Sequence, residues 1–119
     1  ERPANDFVAD FVGESNIFHG TVTEVGSVTL DSGRRLLIAH PAAVGSRVGV
    51  LMRPERFGRG ANSFNGVVRE AVYLGSSLKL RLACDDGMEL IVRQPVTGPL
   101  PATGSRISTG IEPESIHVF

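Results

Sequence analysis

The spacing of apolar residues changes near residue 13. Residues 5–12, NDFVADFV, repeat apolar side chains at helical spacing, with Asn5 as an N-cap and Gly13 as a stop. After Gly13, short runs rich in Val, Ile, Leu and Thr alternate with Gly, Pro, Asn and Asp, which is typical of strands joined by tight turns. The predicted strands are 16–25, 27–31, 35–39, 47–53, 62–74, 77–83, 88–93, 105–110 and 115–119. The pattern therefore predicts an all-β domain preceded by a short N-terminal helix.

The predicted strands and turns occur twice in the same order. The matching segments, with their separations, are GTVTE at 20–24 and GVVRE at 66–70 (46 residues), LDSGRRLLI at 30–38 and CDDGMELIV at 84–92 (54), GSRV at 45–48 and GSRI at 104–107 (59), and Pro54-Glu55 and Pro113-Glu114 (59). One match can arise by chance, but four in order indicate a duplicated β-unit.

Each unit is too small to stand alone, because four or five short strands leave exposed edges and bury little core. Two copies that pack together and exchange strands would close those edges. The predicted fold is a pair of OB-like small barrel lobes, with units at about 16–57 and 62–119.

The amino-acid composition and the absence of known motifs argue against several classes of function. The 12 Lys and Arg nearly balance the 13 Asp and Glu, so no nucleic-acid partner is expected, since such binding needs clustered cations. The single cysteine, Cys84, cannot form an internal disulfide and is expected to be a small buried apolar residue. Its spacing from the three histidines matches no zinc site, so no metal is expected. The chain contains neither a GxxxxGKS or GxxxxGKT phosphate loop nor an LSGGQ-like signature, so no enzyme activity is expected of these residues.

Four segments together carry a family resemblance. They are PANDFVADFVGESN at 3–16, RPE at 53–55, NSFNGVVREAVYLGSSLKLRL at 62–82 and GIEPESIHVF at 110–119. This set resembles the C-terminal accessory domain of the ATPase subunits of bacterial ABC importers, called TOBE for transport-associated OB. The similarity is closest to the polyamine, ferric-iron and sugar importer types and covers essentially the whole chain.

The resemblance implies how the chain is organised. Residues 1–13 would be a junction helix leaving an ATPase domain on the same polypeptide, and 14–119 would be the TOBE domain. The chain begins at Glu1 without a Met and is expected to be part of something longer. The residues expected to pack at the junction are Phe7, Phe11, Val12, Gly13 and Asn16.

The resemblance also implies a function. The domain would regulate the ATP-binding subunit of an importer and stabilise its homodimer, reaching the permease subunits through its own ATPase domain. ATP and Mg²⁺ would bind in that ATPase domain, so no cofactor is expected here. The expected location is cytoplasmic, peripheral at the inner face of the membrane.

Arg53 and Glu55 are candidate contacts because residues two apart share one face of a strand. They would contact a partner subunit or an anionic ligand, or else belong to a local ion pair at the strand end. The second copy has Glu112 where the first has Arg53, which suggests that the first copy has a role the second lacks.

The alternative function is a binding module for a small anion or metabolite. Backbone N–H groups of the Gly-Ser turns at 45–46 and 104–105 would line its groove, with Arg47, Arg106 or Arg53 nearby.

Two further sets of residues leave alternatives open. Arg34 and Arg35 are interpreted as a solvated turn rather than as a small basic patch with Arg47. Phe57 and Phe64 are interpreted as core or dimer-seam residues rather than as a platform for stacking bases, because aromatic residues are only 6% of the chain.

Overall fold

Nine strands and two single 3-10 turns make up the regular structure of residues 15–119, the part of the chain that the computed structural model describes. The strands are β1 (Asn16–Glu24), β2 (Ser27–Leu30), β3 (Arg35–Leu37), β4 (Arg47–Met52), β5 (Asn62–Tyr73), β6 (Ser77–Cys84), β7 (Glu89–Pro95), β8 (Arg106–Ile111) and β9 (Ile116–Val118). The 3-10 turns are Pro54–Arg56 and Pro113–Ser115. Every predicted strand is present within about two residues of its predicted ends, and the predicted all-β, OB-like fold class is confirmed. The predicted helix over 5–12 lies outside the described residues.

The strands form two antiparallel sheets. The first has the order β3-β2-β1-β4-β9 and the second the order β7-β6-β5-β8. We call β1–β4 the first lobe and β5–β8 the second lobe. A β-bulge follows Val22 in β1 and another follows Val68 in β5, so both sheets bend at corresponding places.

Hydrogen bonds around these bulges repeat between the lobes. The N–H of Gly45 donates to the carbonyl of Val22 at 2.7 Å, and the N–H of Gly104 donates to the carbonyl of Val68 at the same distance. Both glycines have positive φ, 93° and 92°, a conformation that glycine adopts at no steric cost. The sequence repeat therefore corresponds to a repeated local structure.

The lobes exchange their terminal segments. β9, which follows the second lobe, pairs with β4 of the first through Val50↔Val118, Leu51↔His117 and Met52↔Ile116. In return Gly58, which follows the first lobe, forms a bridge to Gly110 in β8. Each lobe thus completes the sheet of the other.

A single apolar core lies between the sheets. Strand β6 alternates buried and less buried positions, the period-2 pattern of a strand with one face inward. The fully buried side chains come from both lobes: Phe64, Leu36, Met52, Leu80, Leu82, Leu90, Ile111, Val22, Val28, Val50, Val68 and Val92. Separating the lobes would expose this shared core.

We expect Gly66→Ala to destabilise the domain, because β5 and β6 meet too closely for a side chain. A Cβ on Gly66 would lie 2.4 Å from the carbonyl oxygen of Ala83 and 2.8 Å from the Cα of Cys84. Shifting backbone to relieve such overpacking costs about 1–3 kcal/mol, measurable by urea unfolding. Gly98→Ala is the control, since a Cβ there meets nothing within 4 Å. Equal unfolding midpoints for the two variants would contradict this strand spacing.

Candidate functional site

Arg47 and Arg106, two predicted ligand contacts, are each held in an ion pair within their own lobe. Arg47 Nη1 donates to Asp31 Oδ1 at 2.6 Å, and Arg106 Nη2 donates to Asp85 Oδ2 at 2.7 Å. The Arg47 guanidinium lowers the pKa of Asp31, and these hydrogen bonds raise the pKa values of both arginines. The two pairs occupy corresponding places in the repeat, so they serve the architecture of each lobe.

The Gly-Ser turns do not offer the anion groove predicted from the sequence. Gly45 and Gly104 donate their N–H groups to Val22 and Val68, and Ser46 and Ser105 donate theirs to the carbonyls of Ala43 and Ala102 at 3.0 Å. Because these four N–H groups already donate to backbone carbonyls, the predicted cradle is wrong at this position.

Arg53 and Glu55 do not share a strand face, since β4 ends at Met52. Pro54 starts a 3-10 turn, closed by the N–H of Arg56 donating to the carbonyl of Arg53 at 3.0 Å. Proline fits this first position because its φ is already suitable and its missing N–H is not needed there. Neither Arg53 nor Glu55 forms an ion pair with any residue in 15–119, so the predicted local pair at the strand end is also absent from that range.

The segment that joins the lobes carries three exposed arginines at three-residue spacing, which we call the linker arginines: Arg53, Arg56 and Arg59. Within the described part of the chain none of them has an ion-pair partner. Arg53 is the extended residue that precedes the 3-10 turn, and Arg56 is the last residue of the turn. Their counterparts 59 positions later are Glu112, Ser115 and Val118. The positive charges of the linker arginines therefore have no counterparts in the second copy of the repeat.

A shallow cleft of about 340 Å³, wide open to solvent, lies beside Arg59. It is lined by residues of the linker and of β5 and β8: Gly58, Arg59, Gly60, Ser63, Ser108, Thr109 and Gly110. Thr109 pairs with the buried Phe64 and therefore lies on the opposite face of β8 from Ser108. At the corresponding place in the first lobe the cleft is filled. Phe119 stands there at the position of Gly60, and a Cβ built on Gly49 would lie 2.6 Å from its ring. The cleft is thus a feature of the second lobe.

Arg34 connects the two lobes. It lies in the β2–β3 turn, and its Nη1 donates to Asp86 Oδ2, in the β6–β7 turn, at 3.0 Å. Its Nη2 donates to the carbonyl of Ser63 in β5, and its Cζ lies 4.2 Å from the centroid of the Phe64 ring. The side chain is only 23% exposed, so the interpretation of Arg34 as part of a solvated turn is wrong.

Two buried asparagines join the lobes reciprocally; we call them the bridging amides. Asn16 Nδ2 donates to the carbonyl of Ile91 at 2.9 Å, and its Oδ1 accepts the N–H of Ile91 at 2.7 Å. Asn62 makes the same pair of bonds with Leu37, at 2.9 and 2.7 Å. Each amide also donates to a second carbonyl, that of Met52 or Ile111. Each asparagine thereby pairs with the edge strand of the opposite lobe, as an added strand residue would.

The architecture has a counterpart among solved structures. The cytoplasmic molybdate-binding protein ModG superimposes with a TM-score of 0.75, over 89% of this chain and 96% of the ModG chain. The sequence identity is 16%, so the likeness establishes a common fold alone.

A family model for the TOBE domain matches residues 50–119, more than half of the chain. This chain belongs to the TOBE domain family. The family predicted from the four sequence segments is therefore confirmed, and the matched residues include the whole second lobe and β9.

The relatives of this TOBE domain include import ATP-binding proteins. The spermidine/putrescine import ATP-binding protein PotA of Ruegeria pomeroyi is 36% identical over 100% of this chain and 35% of its own length. PotA of Rubrobacter xylanophilus is 40% identical over 79% of the chain and 28% of the relative, and PotA 1 of Pseudomonas aeruginosa is 36% identical over 92% and 31%. The chain therefore spans about a third of the length of these curated relatives.

Of the predicted junction residues, the structure describes Asn16 alone, as a bridging amide. Phe7, Phe11, Val12 and Gly13 lie outside the described residues. Phe57 and Phe64 pack in the core of the TOBE domain, edge to face with ring centroids 6.0 Å apart, as the core interpretation predicts.

The sequence did not predict the contact that Arg34 makes between the lobes, the bridging role of Asn62 or the cleft, although the repeat contains a signal for each. Asn62 follows Asn16 by 46 residues, the separation of the matched glycines Gly20 and Gly66. Arg34 has as its counterpart Met88, a buried residue, which indicates that position 34 faces the interior of the domain. The cleft lies where the two copies of the repeat differ, with Gly60 in one copy and Phe119 in the other.

Residues 15–119 contain no helix long and apolar enough to cross a membrane. Within the same residues no three His, Cys, Asp or Glu side chains are grouped as metal ligands would be.

Cys84 should react slowly with thiol reagents in the folded domain. Burial raises the pKa of its thiol from 9.0 to about 11, so at pH 8 the thiolate fraction is ~100-fold smaller than in the unfolded chain. Because the Cys84 thiol has a higher pKa in the folded than in the unfolded chain, it adds to the free energy of unfolding below about pH 9. That contribution should be lost as the pH rises from about 9 to 11. Labelling with a disulfide reagent at pH 8, native and in urea, measures the ratio. A Cys84→Ala, Ser76→Cys variant, with its thiol exposed, is the fast control, and native labelling as fast as this control would contradict the burial of Cys84.

Proposed function

We propose that this TOBE domain is the C-terminal regulatory and dimer-stabilising part of the ATP-binding subunit of a bacterial ABC importer. The observation that carries the proposal is the 36% identity over the whole chain with a spermidine/putrescine import ATP-binding protein. The names of these relatives favour polyamines as the imported solute over ferric iron or sugars.

The lobe contacts support a mechanical role. Strand exchange, the bridging amides and Arg34 fix the two lobes to each other at several separate points. Two lobes connected in this way would move as one body. The position of the junction with the ATPase domain would then determine the position of the opposite surface of the TOBE domain. Packed against its twin, such a block would tether two ATPase domains while they open and close, and a change in the packing would bias that equilibrium.

In this proposal the chemistry resides in the preceding ATPase domain, which would hold ATP and Mg²⁺ and contact the permease subunits at the cytoplasmic face of the membrane. The chain itself contains neither a phosphate-binding loop nor a signature sequence. The contribution of residues 15–119 would be to hold and position that domain.

The test uses the complete natural polypeptide that contains this segment. Its upstream sequence should contain a phosphate-binding loop and a signature motif in the same reading frame. Removing residues 15–119 should reduce the dimer fraction measured by light scattering and reduce the uptake of labelled spermidine. An unrelated upstream domain, or unchanged dimerisation and uptake after the deletion, would overturn the proposal.

A further inference from the structure

We propose that an open pocket of the first lobe binds the guanidinium group of an arginine that a partner protein presents. The pocket has a volume of about 260 Å³, and we call it the Phe18 pocket. It is lined by Ile17, Phe18, His19, Leu30, Asp31 and Ser32. The inference goes beyond the tethering role and does not depend on it, because it rests on a comparison of the two lobes.

The corresponding residues of the second lobe already hold a guanidinium. In the order of the pocket residues, they are Ser63, Phe64, Asn65, Cys84, Asp85 and Asp86. Arg34 Nη1 donates to Asp86 Oδ2 at 3.0 Å, and Arg34 Nη2 donates to the carbonyl of Ser63. Arg34 Cζ lies 4.2 Å from the centroid of the Phe64 ring. The second lobe therefore shows which group this arrangement of strand, turn and aromatic ring accommodates.

The first lobe has no such arginine over its own aromatic ring. The bridging amides are reciprocal, so the β6–β7 turn packs on β1 as the β2–β3 turn packs on β5. At the position of Arg34, however, the β6–β7 turn carries Met88, a buried side chain without an N–H group. Phe18 is accordingly only partly buried, whereas Phe64 is fully buried. The Phe18 pocket is therefore accessible to a group from outside the domain.

The pocket contains a backbone acceptor in the same place as the one that Arg34 uses. The carbonyl of His19 accepts the N–H of Asp31, so it points away from β4. Residues two apart in a strand direct their carbonyls to the same side, so the carbonyl of Ile17 also points away from β4. It corresponds to the carbonyl of Ser63, which accepts an N–H group of Arg34.

Asp31 supplies negative charge at the Phe18 pocket. Its two carboxylate oxygens accept N–H groups of Arg47, and each oxygen retains a lone pair for a second donor. Ser32 has a neutral hydroxyl where the second lobe has Asp86, and Arg47 offsets part of the charge of Asp31. The face of the Phe18 ring adds a cation–π contact, which suits a planar guanidinium. With these few contacts, we expect a dissociation constant on the order of 10 mM for an isolated arginine side chain.

The way in which Arg34 enters its site favours a protein side chain over a free small cation. The backbone of Arg34 lies in a turn of one lobe, and its side chain reaches residues of the other lobe. His19, Asp31 and Ser32 are exposed at the Phe18 pocket, so a turn of a partner protein has the same access. The guanidinium contact would add specificity to a larger protein interface.

The experiment is an amide NMR titration of this chain with the blocked peptide acetyl-Gly-Arg-Gly-amide at constant ionic strength. Saturable shifts should be confined to 17–19 and 30–32. The same peptide with lysine in place of arginine should bind more weakly, because an ammonium does not stack flat on a ring. Equal affinity for the two peptides would overturn the assignment of a guanidinium. Tighter binding of free L-arginine than of the blocked peptide would overturn the assignment to a protein side chain.

Two leucine variants test the aromatic contact. Phe18→Leu should weaken binding of the arginine peptide about threefold to fivefold, the loss expected for one cation–π contact. Tyr73→Leu is the matched control, since Tyr73 is an exposed aromatic residue outside the pocket, and it should leave binding unchanged. The urea midpoint of each variant verifies that it is folded. Equal effects of the two substitutions, or no saturable shift up to about 100 mM peptide, would overturn the site.

Met88→Arg tests the comparison of the lobes itself. The substitution gives the β6–β7 turn the residue that the β2–β3 turn carries at Arg34. The new guanidinium should occupy the Phe18 pocket and abolish the peptide-induced shifts at 17–19 and 30–32. A folded Met88→Arg variant that binds the peptide as well as the unmodified chain would overturn the proposal. If the variant does not fold, the comparison of Phe18→Leu with Tyr73→Leu decides.

Discussion

Replacing Asn16 and Asn62 together by alanine should lower the free energy of unfolding by roughly 4 kcal/mol. Each amide satisfies the N–H and C=O of one residue in the opposite lobe and one further carbonyl. Leaving such buried backbone groups unpaired costs about 1–3 kcal/mol for each amide removed. Urea unfolding of the two single variants and of the double variant measures the effect.

Asn65→Ala is the control for the bridging amides. Asn65 also lies in β5, but it is exposed, and its Oδ1 accepts a hydrogen bond from Ser108 of its own lobe. We expect a change of less than about 0.5 kcal/mol, typical of a surface substitution. A loss at Asn62 no larger than the loss at Asn65 would show that the amides do not hold the lobes together.

Phe64→Ala should cost about 3–5 kcal/mol, the usual range for removing a buried phenylalanine. The Phe64 side chain is fully buried, packs edge to face on Phe57 and lies beneath the guanidinium of Arg34. The substitution therefore removes core packing and the cation–π contact between the lobes at once. Unfolding monitored by circular dichroism in urea measures the loss.

The repeat provides an internal control for Phe64. Phe18 stands 46 residues earlier at the corresponding place and is only partly buried, so Phe18→Ala should cost clearly less. If Phe64→Ala does not fold, Phe64→Leu keeps most of the volume and should lose about 1–2 kcal/mol. Equal costs at positions 18 and 64 would contradict the difference in burial between the two phenylalanines.

The alternation of apolar and polar residues predicted the strands because strands and tight turns depend mainly on residues close together in the sequence. Alternation in β5 and β6 and the Asp-Gly turns at 31–33 and 85–87 determine where chains run straight and where they reverse. The duplication was also visible, since glycines required by close strand approach recur at matching places. These features depend on neighbouring residues or on one adjacent strand.

Contacts between the lobes could not be derived in the same way. The alternation of apolar residues within each unit does not specify how one unit packs on the other. Nothing in the sequence around Asn16 therefore shows that its amide reaches a strand 75 positions away. Arg34 fits a solvated turn until the second lobe is placed over it. The two-residue spacing of Arg53 and Glu55 indicates a shared face only within a strand, and the predicted strand 47–53 stops before Pro54, where the proline begins a 3-10 turn.

The proposed tether between ATPase domains can act only if its ends move together, so the two lobes must behave as one body. Differential scanning calorimetry of this chain tests that requirement most directly. We predict one transition with a calorimetric-to-van't Hoff enthalpy ratio of about 1, as for a single cooperative unit. Two transitions, or one broad transition with a ratio of about 2, would show lobes that unfold independently and would contradict the account.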